Sequence, residues 1–378
     1  MELERIRETI DEIDTQLTNL LVKRMDTVTE VAKAKKESGK AIRDHARERN
    51  IINRVTEQAG DTYAPYIKNF FKTMFDLSCN YQSQQMGYTS LLREELLQLI
   101  ENPSARSLPN RAIVACQGTE GAYAQQACEK LFEYPSILYF SSFNDVFSAV
   151  EKGMCKYGIL PLENSTAGSV TQVYDLMEQH AFHIVGACRL RIDHCLMRRK
   201  GATGPIRKIV SHEQALRQCS DWLEKQMGVV AEAMENTAVA AAYVVEAGDD
   251  VAVIASSMCA ELYNLDIVEE NISNVQNNFT RFICIARDMQ VYPNAGKVSI
   301  MFNLPHAPGA LNSIISRLAL AGVNLTKLES RPIPGREFEF RFFFDFEADL
   351  RDPAVVDLIC ELEKRTEHFV FLGAYAEK

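Results

Sequence analysis

The N-terminal stretch of this 378-residue chain decides the first part of its fold. Residues 3–38 read LERIRETIDEIDTQLTNLLVKRMDTVTEVAKAKKES. The apolar residues that recur every three or four positions are Leu3, Ile6, Ile10, Ile13, Leu17 and Leu20. This spacing predicts an amphipathic helix from Leu3 to Ser38. Such a helix is about 50 Å long, too long for a domain of about 90 residues to cover alone. We therefore expect it to pair with a second chain.

Two further helices are predicted, from about Asp44 to Gln58 and from about Pro65 to Gln85, which makes residues 1–90 an all-α domain. A polar linker follows over 91–109, and then short apolar runs alternate with helical patterns. The predicted strands are 112–116, 156–161, 183–187, 208–210, 251–255 and 281–286, and the predicted helices are 122–132, 144–152, 171–179 and 214–227. This alternation predicts an α/β domain over 110–290.

The last segment, residues 296–378, follows a Pro-Asn-Ala-Gly turn. Its patterns predict the order strand, helix, strand, strand, helix, strand, with bounds 298–304, 309–321, 323–331, 337–346, 353–365 and 369–374. The order βαββαβ is that of an α+β, ferredoxin-like unit. The chain is therefore expected to be multidomain, as its length also suggests.

Composition excludes several function classes. The chain has 41 Lys and Arg against 51 Asp and Glu, a net charge of −10, so we expect no nucleic-acid or membrane partner. The ten Cys lack CxxC spacing, which favours reduced thiols in a cytoplasmic protein and disfavours a metal site. Because the N-terminus is charged and no 18-residue apolar run occurs, we expect the chain to be neither secreted nor membrane-spanning. No G-x-G occurs, so no dinucleotide cofactor is expected, and no other cofactor is implied.

Cationic and polar residues of the helical domain share faces. Arg24 and Lys35 lie 11 positions apart, about 1100° of helix rotation, and so lie within about 20° of one face. A cation at each end of a partly apolar strip suits a small dianion. Arg7 is on another side of the helix and could reach the same ligand only from an antiparallel second copy. Helical spacing also groups Asp44, Arg47 and Glu48, and separately Ser78 and Gln82. From spacing alone, solvated helix charges with ordinary salt-bridge pairing are the favoured explanation of these groups.

The motifs RETIDEID, VKRM, AKAK, IRDHARE and SCNYQ resemble those of the all-helical chorismate mutases. The resemblance implies a substrate pocket lined by Arg7, Arg24, Lys35, Asp44, Arg47, Glu48, Ser78 and Gln82. In this interpretation Lys35 and Gln82 are catalytic and bind the ether oxygen of chorismate. Arg24 and Arg7 of a second copy bind the carboxylates, and Asp44 with Glu48 binds the ring hydroxyl. A pericyclic rearrangement needs only positioning and fixed charges.

Three places in the α/β segment carry short polar motifs between strands and helices: GTEGAY at 118–123, PLENS at 161–165 and TRF at 280–282. Singly, a tight turn, a helix cap or a bulged strand explains each of them. Together with HEQAL at 212–216 they resemble the prephenate dehydratases. That family implies a two-lobed α/β fold, periplasmic-binding-protein-like, with the substrate in the cleft.

The same resemblance implies site residues for the dehydration. Thr280 is the critical hydroxyl, which we interpret as a hydrogen-bond donor to the departing oxygen, and Glu163 is a proton source if its pKa is raised. The residues expected to orient substrate are Asn164, Ser165, Thr166 and Gln214. Arg281 is expected on the pyruvyl carboxylate, with a structural role as the alternative. His194 and Cys195 are expected to be structural, while His212 is left open as a substrate contact.

The last segment contains PGALN at 308–312 and LESRP at 328–332, which resemble the ACT regulatory domain of phenylalanine-sensitive dehydratases. The resemblance implies an effector site, and the residues expected there are Gly309, Ala310, Leu311, Asn312, Glu329 and Ser330. A dimerisation module without a ligand is the alternative.

Taken together, the three resemblances predict a bifunctional enzyme of phenylalanine biosynthesis, active as an isomerase and a lyase. It would rearrange chorismate to prephenate, convert prephenate to phenylpyruvate, respond to phenylalanine and form a homodimer or higher oligomer. A dehydratase that prefers arogenate is an alternative within the enzyme class. A non-catalytic small-molecule sensor with the same three parts is an alternative from another class.

Overall fold

The computed structural model describes residues 2–38, 40, 42–86, 90–103 and 107–378. The chain divides into two compact units. The helical unit comprises residues 1–95 with 359–361, and the sheet unit comprises residues 96–358 with 362–378. No helix in the described ranges is both long and apolar enough to cross a lipid bilayer.

The helical unit begins with α1, Glu2–Ser38, which confirms the predicted first helix. Its buried residues, Val28 and Ala32, lie in the C-terminal half. The apolar stripe of the N-terminal half is exposed, with Ile6 at 52% and Leu20 at 65%. The predicted helical period is therefore correct, but within this chain the first half of α1 does not bury its apolar face.

The second helical element, α2, spans His45–Met86 and is interrupted at Gly60, where φ is 70° and ψ is 164°. Glycine adopts this left-handed φ without the steric penalty of a side chain, so the chain changes direction there. Two helices were predicted, and the break at Gly60 separates them, although the second begins before the predicted Pro65. The predicted linker over 91–109 is partly helical, since α3 spans Leu91–Glu101. Residues 104–106 of that linker lie outside the described residues.

The sheet unit contains a first mixed sheet in the order β2-β1-β3-β11-β5, with the short β4 on β3. Its strands are β1 Arg111–Gln117, β2 Tyr134–Phe140, β3 Tyr157–Asn164, β4 Gly168–Ser169, β5 His183–Arg191 and β11 Phe279–Ala286. The helices along this part of the chain are α4 Tyr123–Leu131, α5 Phe143–Glu151 and α6 Thr171–Met177.

A second mixed sheet has the order β10-β6-β9-β7-β8. Its strands are β6 Cys195–Arg199, β7 Lys208–His212, β8 Val230–Met234, β9 Val251–Ala255 and β10 Leu265–Glu269. The helices are α7 Glu213–Gln218, α8 Ser220–Leu223, α9 Thr237–Glu246 and α10 Met258–Tyr263. The chain enters this sheet after β5 and returns through β11, so the start of β11 lies at a crossing between the two sheets.

The C-terminal sheet is antiparallel, in the order β13-β14-β12-β15. Its elements are β12 Lys297–Asn303, α11 Ala310–Leu320, β13 Asn324–Pro332, β14 Phe340–Glu347, α12 Pro353–Arg365 and β15 Glu367–Tyr375. They occur in the predicted order. Strand β15 lies close to β5, and a Cβ on Gly373 would meet the carbonyl oxygen of Ile184 at 2.1 Å. This approach explains why residue 373 is a glycine.

Some predicted elements differ from the structure. The predicted helix over 214–227 is two short helices, α7 and α8, that end at Leu223. Strands β2, β4, β6, β8 and β10 were not predicted. Three of these, β2, β8 and β10, are edge strands, and an edge strand packs less of its surface, so its sequence carries a weaker apolar signal.

Candidate active sites

In the helical unit, Arg24 of α1 meets Ser78 of α2. The guanidinium donates a hydrogen bond to Ser78 Oγ, and Ser78 Oγ donates in turn to the carbonyl of Met74 at 2.7 Å. The guanidinium also lies 5.8 Å from the centre of the Phe75 ring. Burial lowers the pKa of Arg24 from its ordinary value, yet an arginine remains charged at neutral pH. The structure thus presents a partly buried cation between two helices.

Gln82 lies one turn beyond Ser78 and is 5% exposed. Its Nε2 donates to the carbonyl of Ser78 at 3.2 Å, while its Oε1 is buried without a hydrogen-bond partner among the described residues. A buried polar atom without a partner is costly. A half-turn of the amide would replace Oε1 by the Nε2 donors, so this position can hydrogen-bond a ligand as either acceptor or donor.

Lys35 and Asp44 lie near the junction of α1 and α2. Lys35 Nζ donates to the carbonyl of Ile42. Asp44 Oδ1 accepts a hydrogen bond from the Arg47 amide at 2.9 Å and so caps α2. This backbone hydrogen bond is the main cause of the lowered pKa of Asp44. Asp44 is therefore an ionised cap with the Lys35 ammonium nearby, whereas the Arg47 side chain is exposed.

Arg43 is a residue that sequence analysis did not select. Its Nε lies 3.1 Å from Glu48 Oε2 and its Nη1 lies 3.0 Å from Asp76 Oδ1. Glu48, expected to bind the substrate hydroxyl, is therefore engaged with a cation of its own chain. Arg7 is exposed on the N-terminal half of α1, as expected if a second copy uses it.

In the sheet unit, Thr280 and Asn164 face each other across the β11–β3 pair. Asn164 Nδ2 donates to Thr280 Oγ1 at 2.9 Å, and each residue is 8% exposed. Because Thr280 Oγ1 accepts this bond, its own proton is left to donate elsewhere. The pair thus presents an oriented hydroxyl donor.

The Asn164 amide is held at both ends. Its Oδ1 accepts hydrogen bonds from Thr166 Oγ1 at 2.7 Å and from the Ala167 amide at 2.8 Å. Its Nδ2 also donates to Asn278 Oδ1 at 2.7 Å. Asn278 is 2% exposed and was not predicted as a site residue, although it stands two positions before Thr280. These partners fix which end of the Asn164 amide faces Thr280.

Ser165 stabilises the loop rather than the cavity wall. Its Oγ donates to the carbonyl of Asn277 at 3.2 Å and accepts from the Phe279 amide at 2.9 Å. The Ser165 hydroxyl proton is therefore already donated to Asn277, so in this arrangement Ser165 cannot donate to the substrate as predicted.

A cavity of about 480 Å³ opens beside Thr280 and Asn164. Both mixed sheets contribute to it, because His212 at the end of β7 and Gln214 in α7 line it from the second sheet. Lining residues that sequence analysis did not assign to substrate include Tyr123, His194, Gln218 and Asn236. Its volume is within the range of small-molecule sites.

His194 is a wall of this cavity. One ring nitrogen, Nε2, lies 2.9 Å from Gln218 Oε1, and burial lowers the pKa of the imidazole. A neutral ring then donates its Nε2 proton to Gln218 and fixes that amide. This contact supports the expected structural role of His194.

Glu163 and Arg281 do not reach the cavity. They pair with each other on β3 and β11 at 3.2 Å, and they point away from Asn164 and Thr280 because adjacent strand residues face opposite sides. Arg281 instead binds Asp345 at 2.5 Å and Tyr375 at 2.6 Å. Of the two roles considered for Arg281, these contacts support the structural one and not the carboxylate-binding one.

The expected proton donor is corrected. Lys327 Nζ lies 2.8 Å from Glu163 Oε2. Burial opposes ionisation of Glu163, but the hydrogen bond and charge of Lys327, followed by the charge of Arg281, outweigh burial and lower its pKa. Glu163 is thus an ionised partner of two cations at neutral pH and holds no proton to transfer.

The predicted effector residues are divided between two places. Ala310 and Leu311 line a cavity of about 150 Å³ whose other lining residues are Leu304, Pro305, His306, Ala307, Phe338, Phe340 and Phe342. Gly309 caps α11 with φ of 87°, and Asn312 is exposed. Glu329 instead accepts a hydrogen bond from Ser169 at 2.6 Å, and Ser330 is exposed on β13. The structure does not bring Glu329 and Ser330 to this cavity.

Comparison with known proteins identifies a family for each of the two parts of the chain that hold these candidate sites. The family described as "Chorismate mutase type II" matches residues 6–83, and the family described as "Prephenate dehydratase" matches residues 114–290. The bifunctional chorismate mutase/prephenate dehydratase of Escherichia coli strain K12 is 32% identical over 381 residues, covering 98% of this chain and 95% of that protein. The chain belongs to the bifunctional chorismate mutase/prephenate dehydratase family. It is an enzyme with both domains, in phenylalanine biosynthesis.

Two further relatives bear on the sheet unit. Arogenate dehydratase/prephenate dehydratase 2, chloroplastic, of Arabidopsis thaliana is 37% identical over 293 residues, covering 73% of this chain and 76% of that protein. The crystal structure of prephenate dehydratase from Arthrobacter aurescens in complex with L-Phe matches with a TM-score of 0.64 and 26% identity, covering 70% of this chain and 89% of that chain.

Proposed function

We propose that the helical unit rearranges chorismate to prephenate, that the cavity of the sheet unit converts prephenate to phenylpyruvate, and that phenylalanine inhibits the second reaction at the C-terminal segment. The Asn164–Thr280 pair at 2.9 Å carries the dehydratase proposal. The domain bounds proposed are 1–90 for the mutase, 110–290 for the dehydratase and 296–378 for an ACT-type, ferredoxin-like domain.

The mutase reaction breaks a C–O bond while a C–C bond forms, and no group is transferred to the protein. Negative charge grows on the ether oxygen, so fixed donors there lower the barrier. Lys35 and Gln82 take this role, with Gln82 rotating its amide to present Nε2. Arg24, held by Ser78, and Arg7 of a second copy bind the carboxylates, while Asp44 orients the ring hydroxyl. The exposed stripe on α1 supports a homodimer.

The dehydratase reaction converts prephenate and one proton to phenylpyruvate, CO₂ and water. The C–CO₂⁻ bond breaks, its electron pair enters the ring, and the ring hydroxyl departs with the proton as water. Thr280 donates a hydrogen bond to the departing oxygen, because Asn164 occupies its acceptor side. Thr166 holds Asn164, and Gln214 orients the substrate from the second sheet. Orientation of the breaking bond perpendicular to the ring is the larger contribution of such a site.

Phenylalanine is proposed as the effector on two grounds. A related dehydratase is described in complex with L-Phe, and the cavity at the start of α11 is lined by Phe338, Phe340 and Phe342. Aromatic side chains suit an aromatic ligand, and the α11 N-terminus suits its carboxylate. Inhibition requires that phenylalanine bind one conformation in preference to another.

Arogenate is the second candidate substrate, since the Arabidopsis relative is described as an arogenate dehydratase/prephenate dehydratase. Arogenate carries an amino group where prephenate has the side-chain keto group. A competition assay with both substrates would rank them by kcat/KM, and a ratio in favour of arogenate would replace prephenate in this proposal.

Thr280→Ala tests the dehydratase site. We expect release of phenylpyruvate from prephenate to fall by about 10³-fold or more, since both the oriented donor and its contact with Asn164 are lost. Thr280→Ser retains the hydroxyl and should retain most of the activity. The mutase activity of the same preparation should not change. Undiminished dehydratase activity in Thr280→Ala would refute the site.

A further inference from the structure

The mechanism leaves a buried ion cluster unused. It lies where the first mixed sheet packs on the C-terminal sheet, and we call it the Arg281 cluster. Its members are Glu163, Arg281, Lys297, Ser299, Lys327, Asp345, Tyr375 and Glu377. Arg281, at its centre, is 4% exposed. Its Nη1 lies 2.5 Å from Asp345 Oδ2, its Nη2 donates to Tyr375 Oη at 2.6 Å, and its Nε lies 3.0 Å from Glu377 Oε2.

Asp345 and Tyr375 are themselves fixed through Ser299. Ser299 Oγ donates to Asp345 Oδ1, and Tyr375 Oη lies 2.7 Å from Ser299 Oγ. Since an ionised carboxylate only accepts, the serine proton goes to Asp345 and the tyrosine proton goes to Ser299. Arg281, Tyr375, Ser299 and Asp345 thus form a closed ring of hydrogen bonds. Tyr375 and Ser299 are fully buried, so water does not compete for these bonds.

The cluster is anchored next to the candidate catalytic pair. Arg281 faces Glu163 in the β11–β3 ladder, one position after Thr280 faces Asn164. Immediately beyond, the ladder shifts register between Arg281 and Phe282. A shift of this kind bends a strand and redirects its side chains, which is why such irregularities occur beside active sites. On its other edge β11 pairs with β5 in unbroken register from Phe279 to Cys284, so the irregularity is confined to the edge that faces β3, where the Arg281 side chain is held by the cluster.

We propose that Asp345 and Tyr375 of the C-terminal sheet are positioning residues for the dehydratase reaction, acting through Arg281 on Thr280. By holding the guanidinium they fix the irregular part of β11, and so the direction of the Thr280 hydroxyl against Asn164. The C-terminal segment then supports the catalytic strand even without an effector. This inference rests on the proposed role of Thr280.

The test compares full-length variants in the absence of phenylalanine. We expect Asp345→Ala to lower dehydratase kcat by on the order of 10²-fold, because a misplaced reacting group costs about that much, with KM for prephenate within about threefold. Asp345→Asn keeps the side-chain shape and one acceptor oxygen, so its kcat should lie between those of Asp345→Ala and the wild type. Tyr375→Phe removes one oxygen and should lower kcat by about tenfold, again without a matching rise in KM.

Arg341→Ala is the matched control. Arg341 lies on β14 four positions before Asp345, and so on the same face of the strand. Its Nη1 lies 3.0 Å from Glu178 Oε1, in the segment between α6 and β5, and its Nε donates to Asn303 Oδ1 at 2.9 Å. It therefore joins the C-terminal sheet to the same part of the sheet unit without contacting Arg281. If lost packing between the sheets were the cause, Arg341→Ala would lose as much kcat as Asp345→Ala.

Three outcomes decide the matter. Lowered kcat in Asp345→Ala or Tyr375→Phe, with near wild-type kcat in Arg341→Ala, supports the inference. Wild-type kcat in Tyr375→Phe and in any folded Asp345 variant, or an equal loss in Arg341→Ala, overturns it. Thr280→Ala is measured alongside: if it is inactive while the Asp345 and Tyr375 variants are normal, only this inference fails, and if it is active the site itself fails.

Discussion

The two candidate active sites differ in how completely one chain satisfies their polar groups. In the helical unit, Gln82 keeps a buried oxygen without a partner among the described residues, and Arg7 is exposed. In the cavity of the sheet unit, both ends of the Asn164 amide are hydrogen-bonded. A prearranged site loses little free energy in orienting itself during the reaction. The dehydratase pair is thus oriented before substrate arrives, whereas the mutase pocket leaves bonds for substrate and a second copy to complete.

The largest effect that would sharpen this contrast is expected from Lys35→Ala. Lys35 is the proposed cation for the ether oxygen, and removing it should lower mutase kcat by about 10³-fold or more, with a much smaller change in KM. Dehydratase activity of the same protein should be unchanged. Steady-state rates on chorismate and on prephenate, measured separately, check this.

Lys36→Ala is the control for Lys35, because Lys36 is its exposed neighbour in the last turn of α1. It should keep wild-type mutase activity. If Lys35→Ala turned over chorismate like the wild type, the assignment of the ether-oxygen contact would be wrong.

The next effect concerns the dehydratase pair. Asn164→Asp keeps the oxygen that accepts from Thr166 and Ala167 but loses the donor to Thr280. We expect dehydratase kcat to fall by about 10²-fold, with mutase activity unchanged. Asn277→Ala, at an exposed position of the neighbouring loop, should leave kcat near the wild-type value. Equal activity of Asn164→Asp and the wild type would show that Thr280 needs no oriented partner.

A mixing experiment tests whether the mutase pocket is shared between copies. Arg7→Ala and Lys35→Ala should each be defective in the mutase reaction. In a twofold dimer of one of each, one pocket has both residues intact and the other has neither. Equal mixing with subunit exchange should therefore restore about a quarter of wild-type mutase activity. If activity stays at the level of the unmixed variants, either one chain supplies both Arg7 and Lys35 to the same pocket or Arg7 is not part of the pocket.

Sequence reasoning predicted the helical period, the order of the C-terminal elements and some of the residues that meet, such as Arg24 with Ser78 and Asn164 with Thr280. Motif positions such as Thr280 and Asn164 are close because each stands at the end of a strand that the fold pairs. It failed where the strands are longer than predicted, since β3 continues past residue 161 to Asn164 and β11 begins at Phe279. Within these strands residues 163 and 164, like 280 and 281, face opposite sides, which separates Glu163 and Arg281 from the cleft.

Other features depend on pairing between distant segments. Asp345 and Tyr375 contact Arg281 across 64 and 94 positions, and no local pattern in β14 or β15 distinguishes them from ordinary strand residues. Arg43 likewise pairs with Asp76. Such contacts follow from the packing of whole elements, which the spacing of one stretch does not encode.

The smallest effect on activity is expected from Glu163→Gln, although its neighbour Asn164 is in the site. Glu163 is an ionised member of the Arg281 cluster, and a glutamine oxygen can still accept from Arg281. Dehydratase kcat should therefore stay within about threefold of the wild type, and the pH profile of kcat should keep its shape. If the kcat profile of Glu163→Gln lacked one limb of the wild-type profile, Glu163 would instead be the proton source.

The stability of Glu163→Gln should change with pH in a definite direction. Lys327 and Arg281 lower the pKa of Glu163 from its ordinary 4.5 in the folded chain, so the unfolded chain binds the proton more readily. The ionised carboxylate then stabilises the fold fully above about pH 4.5, and this contribution disappears as pH falls through the lower folded value. Near pH 7 the free energy of unfolding of Glu163→Gln should therefore be lower than that of the wild type by on the order of 2 kcal/mol. Its unfolding temperature should be lower as well. The difference should shrink as pH falls below 4.5. A difference that grew towards acid would mean that Glu163 is protonated in the folded chain, and the two faces of the β3–β11 pair would then not be separated as the structure shows.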